Sequence, residues 1–431
     1  MKKLFFAFTF FPLIVFGQKQ GDNWYFGDHA GINFSNGSPV TLNDGLTPNG
    51  TEGTAVMSDS AGSLLFYTDG LQLWNRNQML MPNGDSLAGN ISSTQSSLII
   101  PMPGSSRYFY VFTTDDFLHN LANGLRYSVV DLCLDNGLGD VISNQKNILL
   151  VNTVAEKLTG VRHSNGVDYW IITHLYFSDA FYSYHISSTG ISAPVISHIG
   201  SIHPNPNAGS SYSAALGQLK ASPNGQKLVI VNGNGSSIAE YFDFNNSTGV
   251  VSNCVNIQAN SNWNYYGASF SPDNSKIYIA CWLNGNGIYQ FDLNAGGGDP
   301  SAVFASKTLI DQSYNFLGLQ LANNGKIYVA RSPFGTTTFL DVINDPNNAG
   351  LSCNYVKNAV NLNGHLCGSG FPNFVDSYDY SNTIFNCQTG VDDIQPINQI
   401  SLYPNPANNS INIICNNANE SEVTIFDAAS R

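Results

Sequence analysis

A pattern of about 50 residues recurs through the second half of the chain. It is clearest in the stretches ASPNGQKLVIVNG, FSPDNSKIYIACW and LANNGKIYVARSP, in which turn residues precede an alternating apolar strand. Markers recur at spacings of 49 or 50 residues, namely Lys227, Lys276 and Lys326 and, further along each unit, Asp243, Asp292 and Asp341. Strands and tight turns at this period are typical of propeller blades with four antiparallel strands, as in WD40, YVTN and kelch arrays.

Weaker copies extend the repeat towards the N-terminus. The predicted first strands of six units lie near residues 53, 96, 158, 213, 265 and 316. Residues 23–42 match a blade without its first strand, and residues 367–380 match a lone first strand. Joined, they complete a seventh unit and close the ring, which removes the open sheet edges that favour aggregation. The sequence therefore predicts an all-β propeller of about seven blades, with six or eight as alternatives.

Composition excludes several classes of function. The net charge is −13 and only 17 lysines and arginines are spread along 431 residues, so a nucleic-acid partner is not expected. Lys2 and Lys3 precede an apolar run over residues 4–16, and cleavage is expected between Gly17 and Gln18. This pattern is that of a secretory signal peptide, and no later segment predicts a transmembrane span.

The C-terminal residues carry a second targeting pattern. Tyr403, Pro404, Asn405 and Pro406 stand between short apolar strands, and the segments SINI and VTIFD follow. This arrangement resembles the type A C-terminal sorting domain of type IX secretion cargo in Bacteroidota. The resemblance implies a small, partial β-sandwich that binds the type IX secretion machinery, with the protein released or held at the cell surface. The family's later Gly-x-Tyr strands do not follow Arg431, so we expect an incomplete domain, and a periplasmic location if export stalls.

Four segments follow from these patterns. They are a signal peptide over residues 1–17, a propeller over 18–380, a linker over 381–399 and an incomplete sorting domain over 400–431.

Few residues of the sequence indicate a catalytic, metal-binding or ligand-binding site. No hydrolase elbow, zinc-protease, phosphate-loop or calcium-loop motif is present, and neither a cofactor nor a metal is expected. The best polar group is His163, Asp168 and His174, as ligand candidates or as structural histidines at opposite ends of one hairpin. Cys353 and Cys367 are candidates for a disulfide, and buried free thiols are the alternative.

Two functions remain open. The first is a secreted or cell-surface binding module whose loops, rich in Asn, Ser, Tyr and Trp, take a glycan or a protein. The alternative is an exported hydrolase or lyase acting on polysaccharide, which needs carboxylates or a His-Tyr-Arg set converging in the central funnel. The candidate funnel residues, Glu52, Asp115 and His163, are scattered along the sequence, so the binding module is preferred and no catalytic residue is assigned.

Overall fold

The computed structural model is an all-β protein in two compact units, Met1–Asn386 and Cys387–Arg431. It describes residues 19–203, 215–233, 237–260, 262–283, 287–312, 315–331, 336–380 and 387, and the strands 400–403 and 412–415. The predicted cleavage site at Gly17 and Gln18 lies outside these residues.

Within the described residues, the first unit contains seven antiparallel sheets, which are the blades of a β-propeller. In chain order the blades are β1 Asn23–Phe26, β2 Ala30–Asn33 and β3 Val40–Leu42; β4 Ala55–Ser58, β5 Leu64–Thr68 and β6 Leu73–Asn75; β7 Ser97–Pro101, β8 Tyr108–Thr114, β9 Leu125–Asp131, β10 Asp140–Val141 and β11 Ile148–Val151; β12 Val154–Arg162, β13 Tyr169–Leu175, β14 Ser178–Ser187, β15 Gly190–Ile191 and β16 Val195–His203; β17 Leu219–Ala221, β18 Lys227–Asn232, β19 Ile238–Asn245 and β20 Val250–Asn256; β21 Asn264–Phe270, β22 Lys276–Leu283, β23 Gly287–Asp292 and β24 Thr308–Asp311; β25 Phe316–Leu321, β26 Ile327–Arg331, β27 Phe339–Ile343 and β28 Tyr355–Asn361. The described helices are α1 Pro300–Ala305 and the 3-10 turns Lys19–Gly21, Phe117–His119, Asp135–Gly137, Ser143–Gln145, Ala295–Gly297 and Gly350–Cys353.

The blades follow the predicted order of strands. Strands within a blade pair mainly in chain order, and the first strands β4, β7, β12, β17, β21 and β25 contact one another in turn around the centre. The hairpins between first and second strands use left-handed residues at the predicted turns, with φ of 66° at Gly225, 65° at Asn274 and 77° at Gly325. Glycine and asparagine tolerate this conformation, which is why these turns recur in the sequence.

The repeated lysines and aspartates form cross-strand pairs in two blades. Lys227 lies opposite Asp243, with 2.7 Å between the ammonium and a carboxylate oxygen. Lys276 lies opposite Asp292 at 3.2 Å. The repeats therefore join the second strand of a blade to its third strand, which is a structural role.

The third aspartate of the series has a different role from the one its spacing predicts. In the last blade, Lys326 donates to Asn344 Oδ1 at 2.6 Å, so Asn344 replaces the aspartate. Asp341 lies three residues earlier and instead accepts from Arg331 Nε at 2.9 Å. Asp341 therefore does not occupy the position that Asp243 and Asp292 have in their blades. Its regular spacing arises because the connection between β26 and β27 has a different length.

Residues 366–380, which we call the channel segment, bring the end of the propeller back to its beginning. The Asp28 amide donates to the Leu366 carbonyl at 3.0 Å, and these residues form an antiparallel bridge. The ring of Phe371 then packs 5.5 Å from that of Trp24 in β1. The predicted closure of the ring by the two ends of the chain is confirmed at these residues.

The channel segment does not form the regular strand that the sequence predicts. After Pro372 it crosses the centre of the ring, with isolated parallel bridges from Pro372 to Thr54 and from Val375 to Gly160. Pro372 has no amide proton to donate to a ladder. The polar side chains of Asn373 and Asp376 are buried and bind groups across the centre instead.

Cys353 and Cys367 are both buried free thiols, so the predicted disulfide between them is wrong. Cys353 packs in an apolar cluster of the last two blades, while Cys367 belongs to the large cluster at the closure of the ring. The Cys367 sulfur lies 3.0 Å from Thr337 Oγ1. Each thiol is therefore packed in a different part of the core.

The second unit contains an antiparallel pair, Ile400–Tyr403 and Asn412–Cys415, in which Ile400 lies opposite Cys415. Of the predicted sorting motif, Tyr403 ends the first of these strands, and Pro404, Asn405 and Pro406 lie outside the described residues. Among the helices that the structure describes, none has the length and apolar character needed to cross a bilayer.

Candidate functional site

The first strands of the blades begin at one end of the central channel, and polar side chains gather there. In an antiparallel blade the start of the first strand and the end of the second lie at the same end. We call the set Glu52, Thr94, Asp116, Glu156 and Tyr266 the acidic mouth. Glu52 and Thr94 precede β4 and β7, Asp116 follows β8, and Glu156 and Tyr266 lie in β12 and β21.

Glu52 joins opposite sides of the ring. The Tyr266 hydroxyl donates to Glu52 Oε2 at 2.5 Å, and the Ser92 hydroxyl lies 3.4 Å from Oε1. Burial and, to a smaller extent, the neighbouring Glu156 carboxylate together raise the pKa of Glu52 to about 8. The residue still keeps a partly accessible surface. Glu52 is therefore a largely protonated acid at neutral pH.

Glu156 is completely buried and is held by the preceding blade. Its Oε2 accepts from the Thr94 amide and hydroxyl, both at 2.8 Å, and its Oε1 accepts from the Phe117 amide at 2.9 Å. Burial raises the pKa of this carboxyl to about 7, although the three donors oppose the shift. Glu156 thus fixes the wall of the mouth and places a second titrating acid near Glu52.

Asp116 has an unused acceptor beside these acids. Its Oδ1 accepts from the His119 amide at 3.1 Å, but its Oδ2 is buried and has no hydrogen-bond partner among the described residues. Burial raises the pKa of this carboxyl as well. Because an unpaired buried oxygen is costly, it marks a position where a donor from a ligand would be favourable.

Lys157 follows Glu156 and points to the next blade. Its ammonium donates to the carbonyls of Ala215 at 3.3 Å, Leu216 at 3.1 Å, Gly217 at 2.8 Å and Val231 at 2.9 Å. Burial lowers the pKa of Lys157 to about 7. The side chain therefore organises the backbone that leads into β17 and is fully used in doing so.

The channel segment fills the centre below the acidic mouth. Lys220 Nζ lies 2.5 Å from Gln320 Oε1 and 3.2 Å from Asp376 Oδ1. Asn373 Nδ2 donates to the Leu158 carbonyl at 2.7 Å. All four side chains are buried, so they fill the centre of the ring below the acidic mouth.

The structure divides the three histidine-hairpin candidates between two places. His163 and Asp168 lie at the turn between β12 and β13, where His185 joins them from β14. The ligand atoms of these three residues lie within 4.8 Å of one another. His174 lies at the other end of β13, where its ring stacks on that of His203 with centroids 4.1 Å apart.

The hydrogen bonds of His163 argue against metal binding by the group His163, Asp168 and His185. The Asn165 amide donates to His163 Nδ1 at 3.0 Å, so the proton resides on Nε2, which lies 3.2 Å from the Ser247 carbonyl. Both ring nitrogens are therefore used, and no lone pair remains for a metal. The other described group with metal-ligating atoms is Asp115, Asp116 and His119, at the edge of the acidic mouth.

His174 and His203 are buried in an uncharged form. Burial lowers the pKa of His174 to about 3 and lowers that of His203 as well. His174 Nδ1 and both ring nitrogens of His203 have no hydrogen-bond partner within the described part of the chain.

Sequence reasoning named Glu52 but not its partners. Glu156 and Lys157 are two adjacent charged residues directly before the first strand predicted near residue 158, and this was the available signal. No sequence signal marked Tyr266, because one tyrosine in a chain with 21 is not distinctive. The hydroxyl of Tyr266 contacts Glu52 only because closure of the ring brings their two blades together.

Comparisons with known proteins assign no family to the chain. No model of a known family matches the chain, and no curated protein matches it. A functionally unknown protein from Desulfotomaculum acetoxidans is 13% identical over 81% of this chain and 98% of its own, with a TM-score of 0.44. A candidate 6-phosphogluconolactonase from Bacteroides fragilis is 11% identical over 81% of this chain and 97% of its own, with a TM-score of 0.47. The β-propeller domain of Cps50 (Swd1) from Myceliophteria thermophila is 10% identical over 73% and 91%, with a TM-score of 0.43. At these identities the likenesses concern the fold alone.

Proposed function

We propose that this protein is an exported β-propeller that binds a ligand rich in hydroxyl groups, such as a glycan, at the acidic mouth. The observation that carries the proposal is the Glu52 carboxyl, which accepts from the Tyr266 hydroxyl in the acidic mouth and belongs to a residue that is only partly buried. Because the channel segment fills the centre of the ring, a chain end or a small saccharide suits the proposal better than a polysaccharide threaded through the ring.

The protonation of Glu52 favours a neutral ligand. With a pKa of about 8, the carboxyl is mostly uncharged at pH 7 and can both donate to and accept from a hydroxyl group. The unpaired Asp116 Oδ2 offers an acceptor for a second hydroxyl.

Export is the second part of the proposal. The N-terminal signal pattern with cleavage between Gly17 and Gln18, and the resemblance of residues 400–431 to a type A sorting domain, support secretion by a type IX system. The partners would be that machinery and an extracellular glycan or protein. Mass spectrometry of culture medium, outer membrane and periplasm would decide this location, and a full-length product confined to the cytoplasm would contradict it.

A second candidate function is hydrolysis or cleavage of polysaccharide. The observation in its favour is the pairing of Glu52 with a tyrosine hydroxyl, because an acid with a pKa of about 8 can deliver a proton at neutral pH. Glu156 is a weaker candidate for a second catalytic carboxyl, since its oxygens already accept three hydrogen bonds.

The substitution Glu52→Gln separates the two functions. The exported full chain is first tested on a glycan array at pH 7, and its hits are then titrated by calorimetry at pH 7 and pH 9. For a binding module, wild type weakens at pH 9 as Glu52 ionises, whereas Glu52→Gln weakens less, because its amide stays neutral and only the other acids of the mouth still titrate. For a hydrolase or lyase, wild type releases reducing ends and Glu52→Gln does not. Absence of binding to every glycan would overturn the proposal, and Asp85→Asn, an exposed acid, is the control.

A further inference from the structure

A short turn at the edge of the acidic mouth brings three metal-ligating side chains together. Asp115 and Asp116 follow β8, and His119 ends the 3-10 turn Phe117–His119. One ligand atom from each of the three residues lies within 4.8 Å of those of the other two. We propose that this group, which we call the His119 cluster, binds a Zn²⁺ ion. The proposal does not depend on glycan binding at the acidic mouth, because it concerns the ion alone.

Asp116 carries the argument because one of its oxygens is buried without a partner. The residue is completely buried, and its Oδ2 has no hydrogen-bond partner in the part of the chain that the structure describes. Its Oδ1 accepts from the His119 amide at 3.1 Å. An unpartnered carboxylate oxygen is unfavourable in a protein interior, and a bound cation would remove that cost. In the metal-bound protein, the ion would take the place of a ligand hydroxyl as the partner of Oδ2.

The negative charge of the cluster is not neutralised by a lysine or an arginine. Asp115 and Asp116 are adjacent buried acids, and among the ion pairs of the described residues neither is joined to such a side chain. Lys157 belongs to the wall of the mouth, but its ammonium donates to four carbonyls of the next blade. Two neighbouring carboxylates in a buried position therefore favour a divalent cation.

The spacing and type of the ligands indicate which cation. His119 Nδ1 lies 3.4 Å from Asp115 Oδ1, which is longer than an ordinary hydrogen bond. It matches the separation of about 3.3 Å between two ligands that each lie about 2.0–2.1 Å from a tetrahedrally coordinated Zn²⁺. Three protein ligands that include an imidazole are typical of zinc sites with one open position. Ca²⁺, in contrast, takes about six to eight oxygen ligands.

The backbone orients one ligand, and the surface gives access to another. Asp115 Oδ1 accepts from the Asp116 amide at 2.9 Å, and Asp115 Oδ2 accepts from the Asn123 amide at 2.8 Å. Hydrogen bonds of this kind fix the direction of a metal-ligating carboxylate. The His119 side chain is 66% exposed, so an ion can reach the cluster from solvent. These residues match no zinc-protease or calcium-loop motif, which is why no metal is expected from the sequence.

Calorimetry on the full exported chain, stripped of metal with a chelator and dialysed, tests the assignment with Zn²⁺ alone. Ca²⁺ is the competing ion. His119→Ala removes the imidazole at an exposed position, and Asp116→Asn removes a charge while keeping an oxygen that can cap the turn. His198→Ala is the matched control, because this histidine is 67% exposed and also lies beside an aspartate, Asp179. His185→Ala tests the other described group of possible ligands.

We expect one Zn²⁺ to bind wild type, His198→Ala and His185→Ala alike. His119→Ala and Asp116→Asn should bind it at least about tenfold more weakly, because even an outer partner of a metal ligand contributes that much to affinity. Circular dichroism verifies that each variant is folded, and the exposed His119→Ala decides the question if Asp116→Asn is not. Failure of Zn²⁺ to bind wild type would overturn the proposal. So would tighter binding of Ca²⁺, unchanged binding by folded His119→Ala, or loss of binding in His185→Ala or His198→Ala. No glycan is present in these titrations, so their outcome is separate from that of the glycan array.

Discussion

The ammonium of Lys220 lies 3.2 Å from the carboxylate of Asp376 at the centre of the ring, and both side chains are about 97% buried or more. The pair joins β17 to the channel segment. A buried charge that loses its partner is strongly unfavourable, so we expect Asp376→Ala to lower the free energy of unfolding by about 3–5 kcal/mol. Urea denaturation followed by tryptophan fluorescence measures this.

The double variant Lys220→Met/Asp376→Leu tests the cause of that loss. Since both charges are removed, we expect it to recover most of the stability lost in Asp376→Ala. The control is Lys227→Met, which breaks an exposed pair with Asp243 and should cost less than about 1 kcal/mol. Equal losses at the central and the exposed pair would contradict the central role of Lys220.

Lys157→Met should destabilise the propeller by about 3 kcal/mol, because several buried carbonyls lose their donor at once. Hydrogen exchange should show the loss first at residues 215–218 and 231, which the ammonium organises. Lys357→Met, at a half-exposed lysine paired with Asp311, is the control and should leave exchange at those residues unchanged. Uniform exchange changes across all blades would argue against a local role.

Glu52 should make the protein less stable as the pH rises. Its pKa is about 8 in the folded protein against an ordinary value of 4.5, so the folded state binds the proton more tightly. Stability from this group is complete below pH 4.5 and is lost as the pH rises to about 8. Glu52→Gln cannot ionise, and the difference in melting temperature between the variant and wild type should grow across this window. A constant difference would show that Glu52 does not titrate there.

His174 and His203 should act in the opposite direction. Burial lowers the pKa of His174 to about 3 and lowers that of His203, so the unfolded state binds protons more readily than the folded state. Stability is therefore lost as the pH falls below about 6.5, the ordinary value for histidine. The double variant His174→Phe/His203→Phe should lose less stability between pH 7 and pH 5 than wild type, as measured by calorimetric melting. His198→Phe, at an exposed histidine, is the control, and equal behaviour of both variants would refute the assignment.

The repeat was sufficient to predict the blades because it reports local structure. Turn residues such as Gly225 and the alternation around Lys227 depend on near neighbours, so the strands and their order follow from sequence. The same reasoning failed at Asp341, where a regular spacing concealed a shift of three residues to Asn344.

The site was less predictable because it is assembled from distant parts of the chain. Glu52 and Tyr266 are 214 residues apart, and their contact exists only in the closed ring. His163 and Asp168 are near in sequence, and sequence analysis grouped them. His185 joins them only because β14 pairs with β13, which the sequence analysis did not reveal. The course of the channel segment depends on partners such as Lys220, which local patterns do not reveal.

The position of the channel segment also determines the order in which the molecule can be assembled. Its residues are synthesised after all seven blades, yet they supply the polar partners at the axis and the contact with Trp24. The segment that completes the centre of the ring therefore leaves the ribosome last. In a polypeptide interrupted before residue 366, Lys220 would lack its partner Asp376 in the central channel, and the first blade would lack its contact with the channel segment. Quality-control proteases can distinguish such a product from the complete propeller.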